Sequence, residues 1–141
     1  MPTKIITWTP ELAIGVEVID EQHRELFAHV ARFLSTVDAG RIEELLDLLH
    51  FLGSYVEAHF RTEEDLMREA GYPALEAHAR EHDAFRAMFG AVVGQFARYG
   101  DDPRVAAFAQ REVCSWLESH VSTTDRELGT WLRTRGVARV A

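Results

Sequence analysis

The sequence predicts an all-α protein: an up-down-up-down antiparallel four-helix bundle with an extended N-terminal arm. Three observations favour this fold class. Four long stretches carry apolar residues at spacings of three and four, the period of a single helix face. Each stretch is bounded by residues that begin or end helices. The connections between the stretches are short, which favours antiparallel neighbours.

The four helices are expected at about 20–38, 41–70, 73–99 and 103–134. The first begins at Asp20, because aspartate is a frequent N-cap, and ends at the stretch DAG, residues 38–40. The second runs to Ala70 and ends at Gly71.

The third and fourth helices both have proline at the start, where its missing N–H costs least. Pro73 is expected in the first turn of the third helix, which ends at Gly100. In the fourth, Asp102 is the predicted cap and Pro103 the first helical residue.

Residues 1–19 show no helical period and contain Trp8, Pro10 and Gly15. We expect them to form an extended arm that packs on the bundle through Trp8 and Ile14. The chain is long enough to bury one core and contains no repeat, so residues 1–141 are predicted to form a single domain.

The composition argues against several classes of partner. A formal net charge of −8 argues against nucleic acid, whose binding depends on lysine and arginine. No run approaches the roughly 18 apolar residues of a membrane span, and the N-terminus lacks the features of a signal peptide. We therefore expect no membrane association and a cytoplasmic monomer. The lone cysteine, Cys114, cannot form an internal disulfide and is expected to be a small buried apolar residue.

Five of the seven histidines lie in the apolar stripes, together with a glutamate. Buried imidazoles and carboxylates without partners are costly, so a core that contains several needs mutual satisfaction or a metal ion. Two pairs four residues apart, His59 with Glu63 and His78 with His82, each present two donors on one helix face. In an up-down bundle the candidate ligands all lie at the same height along the bundle axis, near one end. These candidates are His23, His59, Glu63, His78, His82, His120 and Asp125.

Other polar and aromatic residues near these positions have simpler interpretations. His29 and His50 lie off the ligand-bearing faces and are expected at the surface or rim. Glu64 and Asp65 are expected to be exposed. The large aromatic residues are expected to pack in the core, with some of them lining a dry pocket: Phe27, Phe60, Phe85, Trp116 and Trp131.

The segment HVSTTD, residues 120–125, poses a geometric problem. Five residues of ideal α-helix separate two side chains by about 140°, which would direct His120 and Asp125 to different sides. The apolar stripe of the fourth helix is broad, however, so the two residues flank a core-facing arc and both lean toward its centre. A local π-type widening of the helix would bring them closer together.

Five imidazoles and two carboxylates exceed what one metal ion can use. The set indicates two ions bridged by Glu63, Asp125 and a solvent-derived oxo or hydroxo group. Iron suits these donors, with manganese and zinc as alternatives. Three histidines would complete six-coordination at one ion, whereas two histidines would leave the other five-coordinate with an open position.

Four segments resemble the hemerythrin family, its bacterial members most closely: IDEQHREL (19–26), HFRTEEDLM (59–67), GYPALEAHAREH (71–82) and HVSTTD (120–125). The resemblance covers almost the whole chain and implies a non-haem di-iron centre in an up-down bundle, the fold of the relative myohemerythrin. It implies that O2 binds reversibly at the open iron position, where NO or small anions are other candidate ligands. By the same resemblance His78, His82 and His120 hold the six-coordinate iron, His23 and His59 hold the five-coordinate iron, and Glu63 and Asp125 bridge.

One departure from the family concerns the third residue after the aspartate. Hemerythrins often carry tyrosine there, whereas this chain has Leu128. The ligand set is unchanged, but the polarity of the pocket is expected to differ.

Three functions are compatible with such a centre. The first is a carrier, store or local supplier of O2, which is not an enzyme. The second is a di-iron oxidase or ferroxidase, but the bundles of that type use carboxylate-rich sets with Glu-x-x-His motifs. Five neutral imidazoles should stabilise high-valent iron less well and so favour reversible binding. The third is a sensor of O2, NO or iron that acts through a separate protein partner.

Overall fold

The computed structural model describes residues 6–38, 42–100 and 102–135. Within these ranges the first element is a short 3-10 helix (Pro10–Leu12). The α-helices that follow are, in chain order, α1 (Glu17–Asp38), α2 (Ile42–Ala70), α3 (Leu75–Tyr99), α4 (Pro103–Ser119) and α5 (Arg126–Thr134). A π-helical turn at His120–Asp125 joins α4 to α5, so the two helices form one continuous fourth rod. Three parts of the prediction fall outside the described ranges. They are the helix stop after Asp38, the first residue of the second helix and the first five residues of the arm.

The helices form the predicted all-α antiparallel bundle. Each long helix packs against the next one in the chain, and α1 also contacts α4, which closes the bundle. No strand occurs within the described ranges. None of the helices in those ranges is long and apolar enough to cross a membrane.

Helix α1 begins three residues earlier than predicted, because Asp20 is not its cap. The Asp20 carboxylate is buried and accepts hydrogen bonds from the backbone N–H groups of Ile14, at 2.8 Å, and Gly15, at 3.1 Å. Gly15 has a φ of 85°, a conformation that suits glycine. Asp20 therefore ties the arm to the bundle from inside the first turns of α1.

The turn between α2 and α3 is longer than predicted. Gly71, with a φ of 70°, ends α2, and the N–H of Leu75 then donates to the carbonyl of Tyr72 at 3.2 Å. Pro73 lies in this turn, so the prediction that it occupies the first turn of α3 was wrong. The cap of α4 was predicted correctly, since the Asp102 side chain accepts a hydrogen bond from the N–H of Arg104 at 2.9 Å.

The apolar core is divided into two layers along the bundle axis. The larger layer includes Leu26, Phe27, Phe60, Phe85, Leu117 and Val121. The smaller layer, at the end covered by the arm, comprises Ile14, Val16, Ile19, Met67, Tyr72, Leu128 and Leu132. Along each of the four rods the candidate ligands fall between residues of one layer and residues of the other. The fold thus encloses a polar layer between two apolar ones.

Candidate metal centre

The structure brings all seven predicted ligand side chains into this polar layer. Each is buried, with 3% exposure or less. One comes from α1, two from α2, two from α3 and two from the π turn: His23; His59 and Glu63; His78 and His82; His120 and Asp125. Every rod of the bundle therefore contributes to one cluster.

The two oxygens of Glu63 face two different groups of histidines. Oε1 lies 3.0 Å from Nε2 of His82 and 3.3 Å from Nε2 of His78. Oε2 lies 3.2 Å from Nε2 of His59 and 3.5 Å from Nε2 of His23.

Asp125 repeats this division. Its Oδ1 lies 3.0 Å from Nε2 of His78 and 3.1 Å from Nε2 of His120, whereas Oδ2 lies 3.0 Å from Nε2 of His23. Each carboxylate thus presents one oxygen to a three-histidine group (His78, His82, His120) and the other to a two-histidine group (His23, His59).

Several of these atoms meet without forming hydrogen bonds. Among the described residues, Nε2 of His23 and of His120, Oε2 of Glu63 and both oxygens of Asp125 have no hydrogen-bond partner. Buried polar atoms without partners are rare, and here they converge. The donor atoms of Glu63 and the three-histidine group lie within 4.8 Å of one another, as do those of Glu63, Asp125 and the two-histidine group. Two cations, one in each group, would satisfy all of them.

The π turn explains how His120 and Asp125 reach the same cluster. In a π-helix the backbone hydrogen bonds join residues five apart, so side chains at that spacing lie nearly above one another. The segment HVSTTD adopts this conformation over its whole length, and its ligands His120 and Asp125 are both buried. The fourth helix thus has the local π-type widening that would bring the two side chains closer together.

Three histidines are held from outside the cluster by residues that the sequence analysis missed. Nδ1 of His59 lies 2.7 Å from Oε1 of Gln22, and Nδ1 of His82 lies 2.7 Å from Oε2 of Glu64. Nδ1 of His120 lies 2.8 Å from Oε1 of Glu81. Metal-binding histidines usually have such partners, which orient the ring and select its tautomer.

A local signal for these partners exists in the sequence. Gln22, Glu64 and Glu81 are each adjacent in the chain to a predicted ligand. A neighbour in an α-helix is rotated by about 100°, to the edge of the core-facing stripe, where it can reach a ligand on the next helix. The expectation that Glu64 is exposed was therefore wrong, since its side chain is only 22% exposed. Asp65 is exposed, as expected.

Aromatic rings cover the three-histidine group on its outer side. Phe60 stacks on His82, with 3.8 Å between ring centroids, and Trp116 stacks on His120, with 4.3 Å. Phe85 packs against both Phe60 and Trp116. All three rings were expected in the core. Phe60 and Phe85 are buried there, whereas Trp116 is half-buried, and together they form an apolar wall beside the cluster.

Without a metal ion, the charges in the cluster shift several pKa values. Burial lowers the pKa of His23, but the contacts with Asp125 and Glu63 outweigh it and raise the pKa to about 10. The pKa of His78 is raised to about 10 by the same balance. Burial raises the pKa of Glu63, but the charge of His59 and the contacts with other histidines bring it well below its ordinary value. Protons on His23 and His78 then compensate the carboxylates.

The remaining predictions concern residues outside the cluster. His50 is exposed and His29 is half-buried at the rim, where its ring contacts Phe51 and Tyr55. Cys114 is buried in the larger apolar layer. Leu128 is fully buried in the smaller apolar layer, so an aliphatic side chain packs three residues after Asp125.

Comparisons with known proteins agree with the fold. The family model described as "Hemerythrin HHE cation binding domain" matches residues 14–132. Bacteriohemerythrin from Aquifex aeolicus (strain VF5) is 32% identical over 120 residues, which cover 82% of this chain and 92% of the relative. Bacteriohemerythrin from Methylococcus capsulatus (strain ATCC 33009 / NCIMB 11132 / Bath) is 30% identical over 129 residues, covering 91% and 97%. A crystal structure of wild-type hemerythrin superposes with a TM-score of 0.78 at 29% identity, covering 90% of this chain and 97% of that one.

Proposed function

The chain belongs to the hemerythrin family, and from this premise we propose that it binds O2 reversibly at a non-haem di-iron centre. Its role would be that of an O2 carrier, store or local supplier. The observation that carries the proposal is the division of the two carboxylates between the histidine groups. Each of Glu63 and Asp125 directs one oxygen to the three-histidine group and one to the two-histidine group. This is the arrangement that bridging ligands require.

The same contacts support a ligand assignment. His78, His82 and His120 would hold one iron ion, His23 and His59 would hold the other, and Glu63 and Asp125 would contact both. The two-histidine position has one protein donor fewer, which leaves room for a small ligand. Bound as Fe(II), the pair supplies two electrons that O2 can accept and later return.

The donor set favours binding over oxidation chemistry. Di-iron bundles of the ferritin type use a glutamate from each of two helices and a Glu-x-x-His motif from each of the other two. This cluster has five imidazoles and only two carboxylates. Neutral donors stabilise high-valent iron less well than anionic ones, so the centre is better suited to releasing O2 unchanged.

The surrounding residues would limit the access of water to the centre. Phe60 and Trp116 cover the three-histidine group, and the buried ligands leave little access for water. A dry site strengthens the interactions between the ions and their ligands and slows side reactions with solvent.

The proposal is tested by recording the visible spectrum during a cycle of oxygenation. The 141-residue chain is loaded with Fe(II) under anaerobic conditions, exposed to O2 and then returned to an O2-free atmosphere. We expect a visible absorption band that appears with O2 and disappears when O2 is removed, over repeated cycles.

Two ligand variants and one control make the test specific. His120→Ala and Asp125→Ala should abolish the band, because each removes a donor from the cluster. His50→Ala removes an exposed histidine from α2 and should leave the band unchanged. A normal band in either ligand variant would contradict the site. Irreversible oxidation with turnover of added Fe(II) would contradict reversible binding and favour a ferroxidase.

A further inference from the structure

The outer partners of the two histidine groups differ in charge. In the three-histidine group, His82 and His120 are bound by carboxylates, those of Glu64 and Glu81. In the two-histidine group, the outer partner of His59 is the neutral amide of Gln22. All three contacts are short, at 2.7 to 2.8 Å, so the difference lies in charge and not in distance.

The direction of each hydrogen bond can be deduced from its surroundings. A carboxylate only accepts, so His82 and His120 donate from Nδ1. The hydroxyl of Thr62 donates to the carbonyl of Ala58 and therefore accepts from Nε2 of Gln22. The amide oxygen of Gln22 then faces His59, which also donates from Nδ1. All three rings are thus fixed in the tautomer whose Nε2 lone pair points into the cluster.

The position of the two outer carboxylates also matters for the charge balance. Two divalent ions carry twice the charge that Glu63 and Asp125 can neutralise, and uncompensated buried charge is costly. Glu64 and Glu81 supply two further negative charges, and both contact the three-histidine group. Arg86 lies 3.7 Å from Glu64 but is held at shorter distances by Glu57 and Asp83, so His82 is the nearest polar partner of Glu64.

Glu81 additionally fixes the backbone segment that carries two ligands. Its two oxygens accept hydrogen bonds from the hydroxyl of Thr124, each at 2.8 Å, and one of them also binds His120. His120 and Thr124 both belong to the π turn. A single carboxylate from α3 therefore orients an imidazole and holds the turn around it.

We propose that Glu64 and Glu81 are positioning residues that make the two metal positions unequal. The position within the three-histidine group fills first and loses its metal last, because the carboxylates of Glu64 and Glu81, on the outer side of His82 and His120, compensate the charge of an ion bound there. The position beside His23 and His59 is the weaker one. This inference rests on the proposed di-iron centre.

A titration of the metal-free protein with Co²⁺ tests the proposal, because Co²⁺ reports its coordination through visible absorption without a reaction with O2. In competition with a chelator, the wild-type chain should bind two ions in two separate steps. Glu64→Gln and Glu81→Gln should each lower the affinity of the first step by about 10–100-fold, the usual effect of losing an outer partner. The second step should be unchanged in both. Gln22→Glu should strengthen the second step instead.

Glutamine is chosen because it removes charge while keeping a hydrogen-bond acceptor for the imidazole. In Glu81→Gln the amide can also donate to the hydroxyl of Thr124, so the π turn keeps its support. Asp65→Asn is the matched control: it removes the same charge next to Glu64 from a side chain that is 56% exposed and contacts Arg68. Helical circular dichroism of each metal-free variant checks the fold.

The outcomes separate this inference from the proposed function. The inference is supported if the wild-type chain binds two ions in two steps and the glutamine variants weaken only the first step. Two ions bound with both steps weakened alike, or an equal loss in Asp65→Asn, overturn the inference and leave the di-iron centre standing. A wild-type chain that binds no second ion overturns both.

Discussion

Gly129 illustrates how a single residue sets the path of the N-terminal arm. A Cβ atom at this position would lie 2.8 Å from Cβ of Ile14 and would also overlap the backbone carbonyl of Ile14. The absence of a side chain lets α5 and the arm approach closely. Ile14 is in turn buried and held by Asp20, so the arm cannot move aside freely.

We therefore predict opposite effects for two glycine-to-alanine changes in helices. Gly129→Ala should destabilise the protein by about 1–3 kcal/mol, the range for overpacking, although alanine is the better helix former. Gly94→Ala, in α3, places its Cβ in open space and should stabilise by about 0.5–1 kcal/mol. Urea unfolding of both variants measures the difference. A Gly129→Ala protein as stable as wild type would contradict the close packing of the arm.

At the scale of secondary structure, the π turn depends on a contact distant in the chain. The Thr124 hydroxyl donates to Glu81, 43 residues away, whereas the neighbouring Thr123 hydroxyl donates to the carbonyl of Ser119 within the same rod. Hydrogen bonds from a threonine hydroxyl to the backbone carbonyl four residues earlier occur in many helices. Of these two hydroxyl contacts, only the one with Glu81 links the turn to α3.

Thr124→Val should therefore lower the free energy of unfolding by about 1–2 kcal/mol, near the lower end for a hydrogen bond to a charged group because Glu81 is partly exposed. It should also weaken metal binding, since His120 shares that carboxylate. Thr123→Val, in the same turn, should change metal binding little. Denaturant unfolding and the Co²⁺ titration measure the two effects. Equal losses of metal affinity in both variants would show that the Glu81 contact has no special role.

The elements differ in how far the sequence could predict them. Apolar periodicity identified all four rods and the faces that carry the ligands. It could not identify the role of Asp20, because an aspartate that binds two backbone N–H groups of a preceding arm has the same local pattern as an N-cap. Nor could it identify Gln22 or Glu81, because periodicity distinguishes the core-facing side of a helix but not which residue at its edge reaches a neighbouring helix. Those contacts depend on how the helices are placed side by side.

At the scale of the whole molecule, the polar layer couples metal binding to folding and to pH. The ligands come from all four rods and lie between two apolar layers, so the site exists only in the folded chain. Metal binding should therefore stabilise the fold. Binding also requires neutral imidazoles, whereas the metal-free cluster holds protons on His23 and His78 at neutral pH, since both have a pKa of about 10.

We predict that the stability gained from metal grows as the pH rises from about 6.5 to 8.5. For the metal-free protein, a pKa raised from 6.5 to about 10 stabilises the fold fully below pH 6.5, and this contribution is lost as the pH rises toward 10. Metal binding must displace protons from the imidazoles. The free energy needed to release each proton falls by about 1.4 kcal/mol per pH unit as the pH rises from about 6.5 to 8.5. At least two protons, from His23 and His78, should leave when metal ions occupy the cluster.

Calorimetric Zn²⁺ titrations in buffers of different ionisation enthalpy count those protons, and melting temperatures with and without Zn²⁺ give the stability difference. A difference that shrinks with rising pH, or binding without proton release, would contradict the charge balance derived for this cluster.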